Sequence, residues 1–277
     1  MTVREAFWLA RQQVGSAETR ILFIELFHWR HTELFEHLYD TLSSAQETLF
    51  LRVLRQRAEG IPLQYILGHW TFMDREYTVG AGVLIPRDDT EVAVRQALSF
   101  LESFTAPKVM DLCAGSGIIA LTMAQECPEA SVTAIEKEPA ALTYLYQNVK
   151  RHHADNVTVI QGDIFDCHVQ IEDASLDLLV SNPPYIRTDV LPTLQKEVQF
   201  EPMTALDGGQ DGLQFYRCIA EHWTRKLKPG GGIVLEIGEE QAQAVTDLLS
   251  KHDITDIQTL QDIQELDRVI FGTKKAI

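Results

Sequence analysis

The sequence predicts an α/β protein, a doubly wound parallel sheet preceded by a small helical bundle, and two observations carry that expectation. From about residue 86 onward, short apolar runs alternate with amphipathic helical stretches, the signature of strand–helix–strand units, whereas residues 1 to about 60 carry apolar residues only at helical spacing. A chain of 277 residues with 45% hydrophobic content can bury one substantial core and still spare a second, smaller domain.

Taken in order, Leu22, Leu26 and Trp29, then Phe50, Val53 and Leu54, recur at the spacing of one helix face. Ser44 with Glu47 three residues on reads as a capping box opening the last of these helices, and Gly60 followed by Pro62 closes it. Arg52, Arg55 and Arg57 on that helix read as a solvated face. Between Trp70 and Val83, aromatic and β-branched residues with Gly80, Gly82 and a tight turn at Met73-Asp74 suggest a hairpin. Pro86 reads as the start of a helix carrying Thr90 and Glu91. Lys108 to Leu112, Val132 to Glu136, Val157 to Gln161, Leu176 to Ser181 and Gly232 to Ile237 read as strands with helical segments between most of them. Ile254 to Leu260 and Arg268 to Gly272, with no long helix between, read as a closing antiparallel pair. The expected domains are a helical domain over 1–67, a hairpin linker over 68–85 and an α/β domain over 86–277.

Charge narrows the partners. With 24 Lys+Arg against 40 Asp+Glu, the formal net charge is -16, the wrong sign for holding duplex nucleic acid through its phosphates, and a basic protein partner fits better. The first residues open an amphipathic stretch rather than a signal sequence, and no window approaches the ~18 apolar residues that span a bilayer. A cytoplasmic protein with no membrane partner is expected. Cys113, Cys127, Cys167 and Cys218 show no CxxC spacing, and His152-His153 lacks a third ligand at metal spacing, so no metal site is expected and the histidines read as a solvated helix end.

Two segments carry the chemistry. Asp111-Leu112-Cys113-Ala114-Gly115-Ser116-Gly117 ends the first strand of the α/β region, and its glycines allow a tight turn and a close ligand approach at a helix start. The same glycines serve dinucleotide enzymes, other nucleoside binders and plain turns. Asp111 disfavours a pyrophosphate and suits a ligand with an ammonium and a sulfonium, which is S-adenosylmethionine. Glu136 ends the next strand, where an acid can accept both ribose hydroxyls. Asp163 can accept from an adenine amino group, with Ile164 as apolar cover, although Asp after Gly is also common turn chemistry. The second segment, Asn182-Pro183-Pro184-Tyr185, follows an apolar strand and offers a carboxamide and donor-free carbonyls at the carboxyl edge, suited to holding a planar NH2 group.

Together these residues resemble the class I S-adenosylmethionine-dependent methyltransferases that act on planar nitrogen. More narrowly, the chain is similar to the protein-(glutamine-N5) methyltransferases of peptide chain release factors, the PrmC/HemK family. The likeness rests also on Pro62-Leu63-Gln64-Tyr65-Ile66-Leu67-Gly68, on Leu84 to Glu91, on Glu201-Pro202 with Ala205 to Leu213, on Leu235 to Gly238, and on Arg268-Val269. Cys113 and Ala114 stand where the family usually has glycine and threonine, Glu136 where aspartate is commoner, and Asp88 where proline is usual.

The resemblance implies a seven-stranded Rossmann-like sheet, S-adenosylmethionine as methyl donor with S-adenosylhomocysteine as product, and a substrate-recognition role for the helical domain. It also implies methylation of the glutamine in the Gly-Gly-Gln loop of class I release factors, by a monomer with no direct nucleic-acid partner. Asp111, Cys113 to Gly117, Glu136, Asp163, Ile164 and Asn182 are expected at the cofactor. Asn182 and the Pro183 carbonyl are expected to accept the amide hydrogens, with Tyr185 over the flat amide face and Pro184 stiffening the run. Arg87, Thr90, Glu91, Glu201 and Arg268 belong to the family pattern without an assigned chemistry. The alternatives are a glutamine methyltransferase acting on a large-subunit ribosomal protein, an exocyclic-amine methyltransferase of nucleic acid, a non-catalytic S-adenosylmethionine-binding protein, and a nicotinamide-dependent oxidoreductase.

Overall fold

The structure, a computed structural model, describes residues 1–30 and 32–276. The chain divides into two units, one of residues 1–69 with 195–200, the other of 70–194 with 201–277.

The first unit holds helices α1 (Val3–Phe27), α2 (Glu33–Glu36), α3 (Ser44–Ala58) and α4 (Leu63–Leu67). α1 opens on a capping box of Thr2 and Glu5 and breaks at Gly15, whose φ of 80° no helix accommodates. The box of α3 sits one residue earlier than its sequence suggests. Ser43 caps the helix and Gln46 reaches back, while Glu47 pairs with the chain's amino terminus instead. Phe23 and Phe50 are fully buried, and their rings lie 5.5 Å apart at the centre of this unit's core. Arg57 departs from the expected solvated face. Its guanidinium is buried and bonds to Glu18, to Glu197 and to the Ile61 carbonyl, so that residues 195–200 are tied to α3. A guanidinium presents its donors as a rigid fork, which explains how one side chain serves three acceptors.

The strands β1 (His69–Phe72), which belongs to the second unit from Trp70 on, and β2 (Arg75–Thr78) form a hairpin turning through Met73 and Asp74, both at positive φ, the geometry that matches strand twist. The elements that follow are α5 (Thr90–Leu101), β3 (Lys108–Leu112), α6 (Ile118–Glu126), β4 (Ser131–Glu136), α7 (Pro139–Arg151), β5 (Val157–Gln161), β6 (Leu176–Ser181), α8 (Gln214–Cys218), β7 (Leu227–Glu236), α9 (Ala242–Ser250), β8 (Ile254–Gln261) and β9 (Asp267–Lys274). The sheet has seven strands in the order β5-β4-β3-β6-β7-β9-β8, parallel except that β9 runs against both β7 and β8.

Two starts differ from expectation. α5 begins at Thr90 rather than Pro86, because Ile85 donates its N–H to Glu201 and Arg87 pairs with the same carboxylate, holding the preceding residues out of the helix. β7 begins at Leu227, its Pro-Gly-Gly stretch absorbed by a register shift opposite Leu176 and Leu178.

Alternate residues of the central strands feed two cores. Val109, Ala134, Leu178, Val180 and Val234 pack with α5, α6 and α7, whereas Met110, Ile135, Leu179, Ile233 and Leu235 pack with α8 and α9. Every residue of β6 is buried, as a strand covered on both faces requires. His152 is likewise not a freely solvated helix end, since its ring packs 4.7 Å from Tyr77 and burial lowers its pKa. Because β5, β4, β3 and β6 are neighbours and parallel, residues 162–164, Glu136, residues 113–117 and Asn182 all emerge at one carboxyl edge.

Candidate active site

At that edge lies a cavity of about 550 Å³, walled by the loop after β3, the ends of β4 and β5, Asn182 and Pro184, and residues 202–205. The loop turns through Cys113, Gly115 and Gly117, whose φ values are 60°, 57° and 87°. Only glycine adopts this left-handed region without steric cost, so Cys113 occupies a position better suited to the glycine of the family pattern, at a cost of ~1 kcal/mol. The loop is tied down by Ala114, which donates to the Ile135 carbonyl at 2.9 Å, and by Gly115, which donates to Glu136 Oε2 at 2.8 Å.

The two glycines do different work. A Cβ on Gly115 would meet nothing closer than Val83 Cγ2 at 3.8 Å, leaving an open cradle on the cavity side. A Cβ on Gly117 would lie 2.3 Å from Leu145 Cδ1, so this glycine serves the packing of α6 against α7 and does not line the cavity.

Cys113, Ala114, Ser116, Glu136, Asp163, Ile164 and Asn182 stand on the wall, as does Gly115. Glu136 accepts from Gly115 through one oxygen and from the Glu138 N–H at 2.7 Å through the other, and burial raises its pKa. The Lys137 N–H also acts on this carboxylate, and of its roughly four acceptor sites at least one stays open to a hydroxyl. Asp163 accepts the Phe165 N–H at 3.1 Å and pairs with Lys137 at 2.9 Å. Ile164 is anchored through its carbonyl, which accepts from Trp223 Nε1 at 3.0 Å. The Phe165 and Phe215 rings, 5.2 Å apart at 67°, complete an apolar wall that the sequence did not single out.

Asp111 is placed differently from its sequence-based role. It is fully buried, and it is not among the cavity-lining residues. Its Oδ2 accepts the Ala120 N–H at 3.0 Å, satisfying an unpaired donor in the first turn of α6, while Oδ1 has no partner among the described residues. Burial, with Glu136 nearby, pushes its pKa up to about 8, so at neutral pH it is largely uncharged and the electrostatic selection against phosphate does not come from it. Arg87 and Lys137, the basic side chains on the wall, are already paired with Glu201 and Asp163.

Beyond β6, Asn182 Nδ2 donates to Thr90 Oγ at 3.3 Å, and Thr90 Oγ donates to Glu236 Oε2 at 2.7 Å. Burial raises the Glu236 pKa to about 7, against which Thr90, Arg268 and the nearby Asn182 side chain act. Pro183 and Tyr185 are not on the cavity wall among the described residues. Tyr185 packs against the core under α8 and α9, where burial raises its hydroxyl pKa, and its carbonyl accepts from Gln241 at 3.0 Å. Gly208 explains one glycine of the family pattern: a Cβ there would lie 2.7 Å from Tyr185 Cα, so no larger residue lets the two segments meet.

Several residues of unassigned chemistry now have contacts. Arg87 and the Ile85 N–H share Glu201, fixing the residue before the cavity-lining Pro202 to Ala205. Arg268 bonds to Asp262 at 3.0 Å and lies 3.7 Å from Asp89, whereas Glu91 only pairs with Arg95 on the surface. Thr90 and Glu236 are 146 residues apart, and no local pattern in the sequence joins them.

The cavity suits S-adenosylmethionine. Its size matches a nucleoside carrying an amino acid, Glu136 offers paired acceptors, Gly115 leaves the cradle open, and isoleucine and phenylalanine supply flat apolar cover. Among the described residues no helix is long and apolar enough to cross a membrane.

Comparison with known proteins places this geometry. Residues 87–198 match the family model described as methyltransferase small domain, and residues 9–68 match the PrmC N-terminal domain. A release factor glutamine methyltransferase of Geobacter sulfurreducens is 42% identical over 221 residues, covering 79% of this chain and 76% of the relative. One from Moorella thermoacetica is 41% identical over 256 residues, covering 90% and 89%. A methyltransferase structure from Pyrococcus furiosus, 16% identical, superposes with a TM-score of 0.52 over 84% of this chain and all of that one, a likeness of fold alone. With two relatives above 40% identity over 79% and 90% of its length, and with the glycine loop, Glu136 and Asn182 on one cavity, this chain belongs to the release factor glutamine methyltransferase family of S-adenosylmethionine-dependent enzymes.

Proposed function

We propose that this protein transfers a methyl group from S-adenosylmethionine to the side-chain amide nitrogen of the glutamine in the Gly-Gly-Gln loop of class I release factors. The observation that carries the reading is that Asn182 lies on the same cavity wall as Gly115, Glu136 and Asp163, beside the place those residues provide for the cofactor. The relatives named for this activity span most of their length with the chain, and the net charge of -16 favours a basic protein region over a polyanion.

When bound, the cofactor would supply an electrophilic methyl on its sulfonium; as the amide nitrogen bonded to that carbon, the C–S bond would break and the neutral thioether of S-adenosylhomocysteine would leave. An amide nitrogen is a weak nucleophile because its lone pair is delocalised into the carbonyl. Positioning therefore carries much of the rate. The Asn182 carboxamide oxygen, on the wall, accepts one amide N–H, and the backbone carbonyl of the adjoining Pro183, a residue buried behind the wall, is the acceptor proposed for the other, so the nitrogen is presented to the cofactor. Both acceptors gain strength as positive charge develops on that nitrogen. The surplus proton leaves to solvent, since the run contains no strong base. Pro184 lines the cavity and keeps the run rigid, and Tyr185 supports it through packing. Residues 1–67 select the protein substrate. Cofactor and substrate amide converge on one cavity of one chain, so a monomer suffices, acting in the cytoplasm where translation ends.

The test is transfer of labelled methyl from S-adenosylmethionine to a purified release factor and to its loop Gln→Ala variant. Label on the first and none on the second supports the reading. Equal labelling of both, or of neither, would refute it.

A further inference from the structure

Asn182 presents two chemically opposite ends, an NH2 that donates and an oxygen that accepts, and only the oxygen can hold a substrate amine. What decides which end faces the cavity lies behind it. Thr90 and Glu236 are each 1% exposed, away from solvent that could substitute for either partner. Thr90 has a single hydroxyl hydrogen, and it is committed to Glu236 Oε2 at 2.7 Å. Its oxygen can then only accept, and the group facing it at 3.3 Å is Asn182 Nδ2. The Glu236 carboxylate, which the Asn182 side chain helps to keep ionised, is the other group behind it, so Thr90 and Glu236 together present acceptors on this side. Oδ1 meets no donor among the described residues. The reverse orientation would set the Asn182 oxygen against a hydroxyl oxygen and a carboxylate, leaving three acceptors to share the single Thr90 hydrogen.

Resting on the function proposed above, we infer that Thr90, oriented by the buried Glu236, is a positioning residue for methyl transfer: it fixes the Asn182 carboxamide with its oxygen toward the substrate. Thr90 is the first residue of α5 and Glu236 the last of β7, so the fold brings this acceptor–donor relay to the end of β6 from two other elements. The relay runs in this sense while Glu236 is ionised. A protonated Glu236 could donate to Thr90, which could then donate to the Asn182 oxygen and turn it away from the cavity. The groups facing Glu236 act on that equilibrium in both directions: Arg268 favours the carboxylate and Asp89 disfavours it, while the Tyr216 hydroxyl is spent on the Glu236 backbone carbonyl.

The experiment is a double-mutant cycle assayed at about pH 8.5, with a release factor as methyl acceptor. Thr90→Val keeps the shape and removes the hydroxyl, Thr90→Ser keeps the hydroxyl, and each is combined with Asn182→Ala. The expected result is a kcat lowered about tenfold or more in Thr90→Val with S-adenosylhomocysteine affinity little changed, and recovery to within about threefold of wild type in Thr90→Ser. In the Asn182→Ala background Thr90→Val is expected to cost no further kcat, because its effect passes through that side chain. Wild-type kcat in Thr90→Val, or an undiminished further loss in the double variant, overturns the inference. A role in folding alone would lower the melting temperature of Thr90→Val without this non-additivity, and that outcome also overturns it. If Asn182→Ala alone keeps near-normal turnover, it is the clamp itself that fails, which separates the two readings.

Discussion

Glu136 Oε2 accepts the Gly115 N–H at 2.8 Å, so the acid ending β4 holds in place the turn that ends β3. The same carboxylate is thus both a wall of the cofactor cavity and a brace for the loop beside it. Glu136→Ala removes two functions together, acceptance from ribose hydroxyls and restraint of the loop. Hydrogen bonds to a charged group are worth ~1.5–3 kcal/mol each, so S-adenosylhomocysteine binding, measured by calorimetry, is expected to weaken by at least about tenfold. Unchanged affinity would remove Glu136 from the cofactor site.

The loop glycines are expected to separate binding from stability. Gly117→Ala forces a Cβ to within 2.3 Å of Leu145 Cδ1 at a φ of 87°, and urea unfolding should show a loss of ~2–4 kcal/mol. Gly115→Ala meets open space in the cavity, its nearest contact being 3.8 Å away, and should lose only ~1 kcal/mol of stability while weakening the cofactor more strongly. Equal effects of the two substitutions on binding would contradict this division.

Burial raises the Asp111 pKa from 3.8 to about 8, so between those values the folded cofactor-free protein keeps a proton that the unfolded chain has released. Its contribution to stability is therefore fully present below ~4 and is lost as pH rises toward ~8. Glu236, raised from 4.5 to about 7, acts in the same sense. In Asp111→Asn the dependence of unfolding free energy on pH should be shallower, and the variant should gain on wild type between about pH 5 and pH 8. Parallel stability curves for the two proteins would show that Asp111 is ionised throughout.

Arg57 is buried with Glu18, Glu197 and the Ile61 carbonyl around it. Arg57→Ala leaves those groups without their shared donor, and a loss of ~2–4 kcal/mol is expected, below the upper range for a buried pair because Glu197 is half exposed. Since Glu197 anchors residues 195–200, limited proteolysis should cut that segment faster in the variant. An unchanged digestion pattern would show that the segment is held by other contacts.

Much of the sheet was legible because parallel strands buried on both faces read as apolar runs, as Leu176 to Ser181 does. Boundaries failed where a long-range contact overrode a local signal. Pro86 looks like a helix start, yet Glu201 holds Ile85 and Arg87, and the helix waits for Thr90. The wall residues next to motif glycines were legible too, because turn chemistry is local. Asp111 was not, since nothing in its neighbours reveals that its side chain turns inward to Ala120 rather than toward a ligand. Arg57 was misread for the same reason, its acceptors lying 39 and 140 residues away. The aromatic pair of Phe165 and Phe215, and the pairing of Thr90 with Glu236, exist only once the sheet has brought distant segments together.

The most direct test of the whole account is single-turnover methyl transfer by Asn182→Ala to a release factor, measured beside its affinity for S-adenosylhomocysteine. A transfer rate lower by about a hundredfold or more, with cofactor affinity within about threefold of wild type, is expected of a side chain that grips the substrate amide. Transfer at close to the wild-type rate would contradict the assignment.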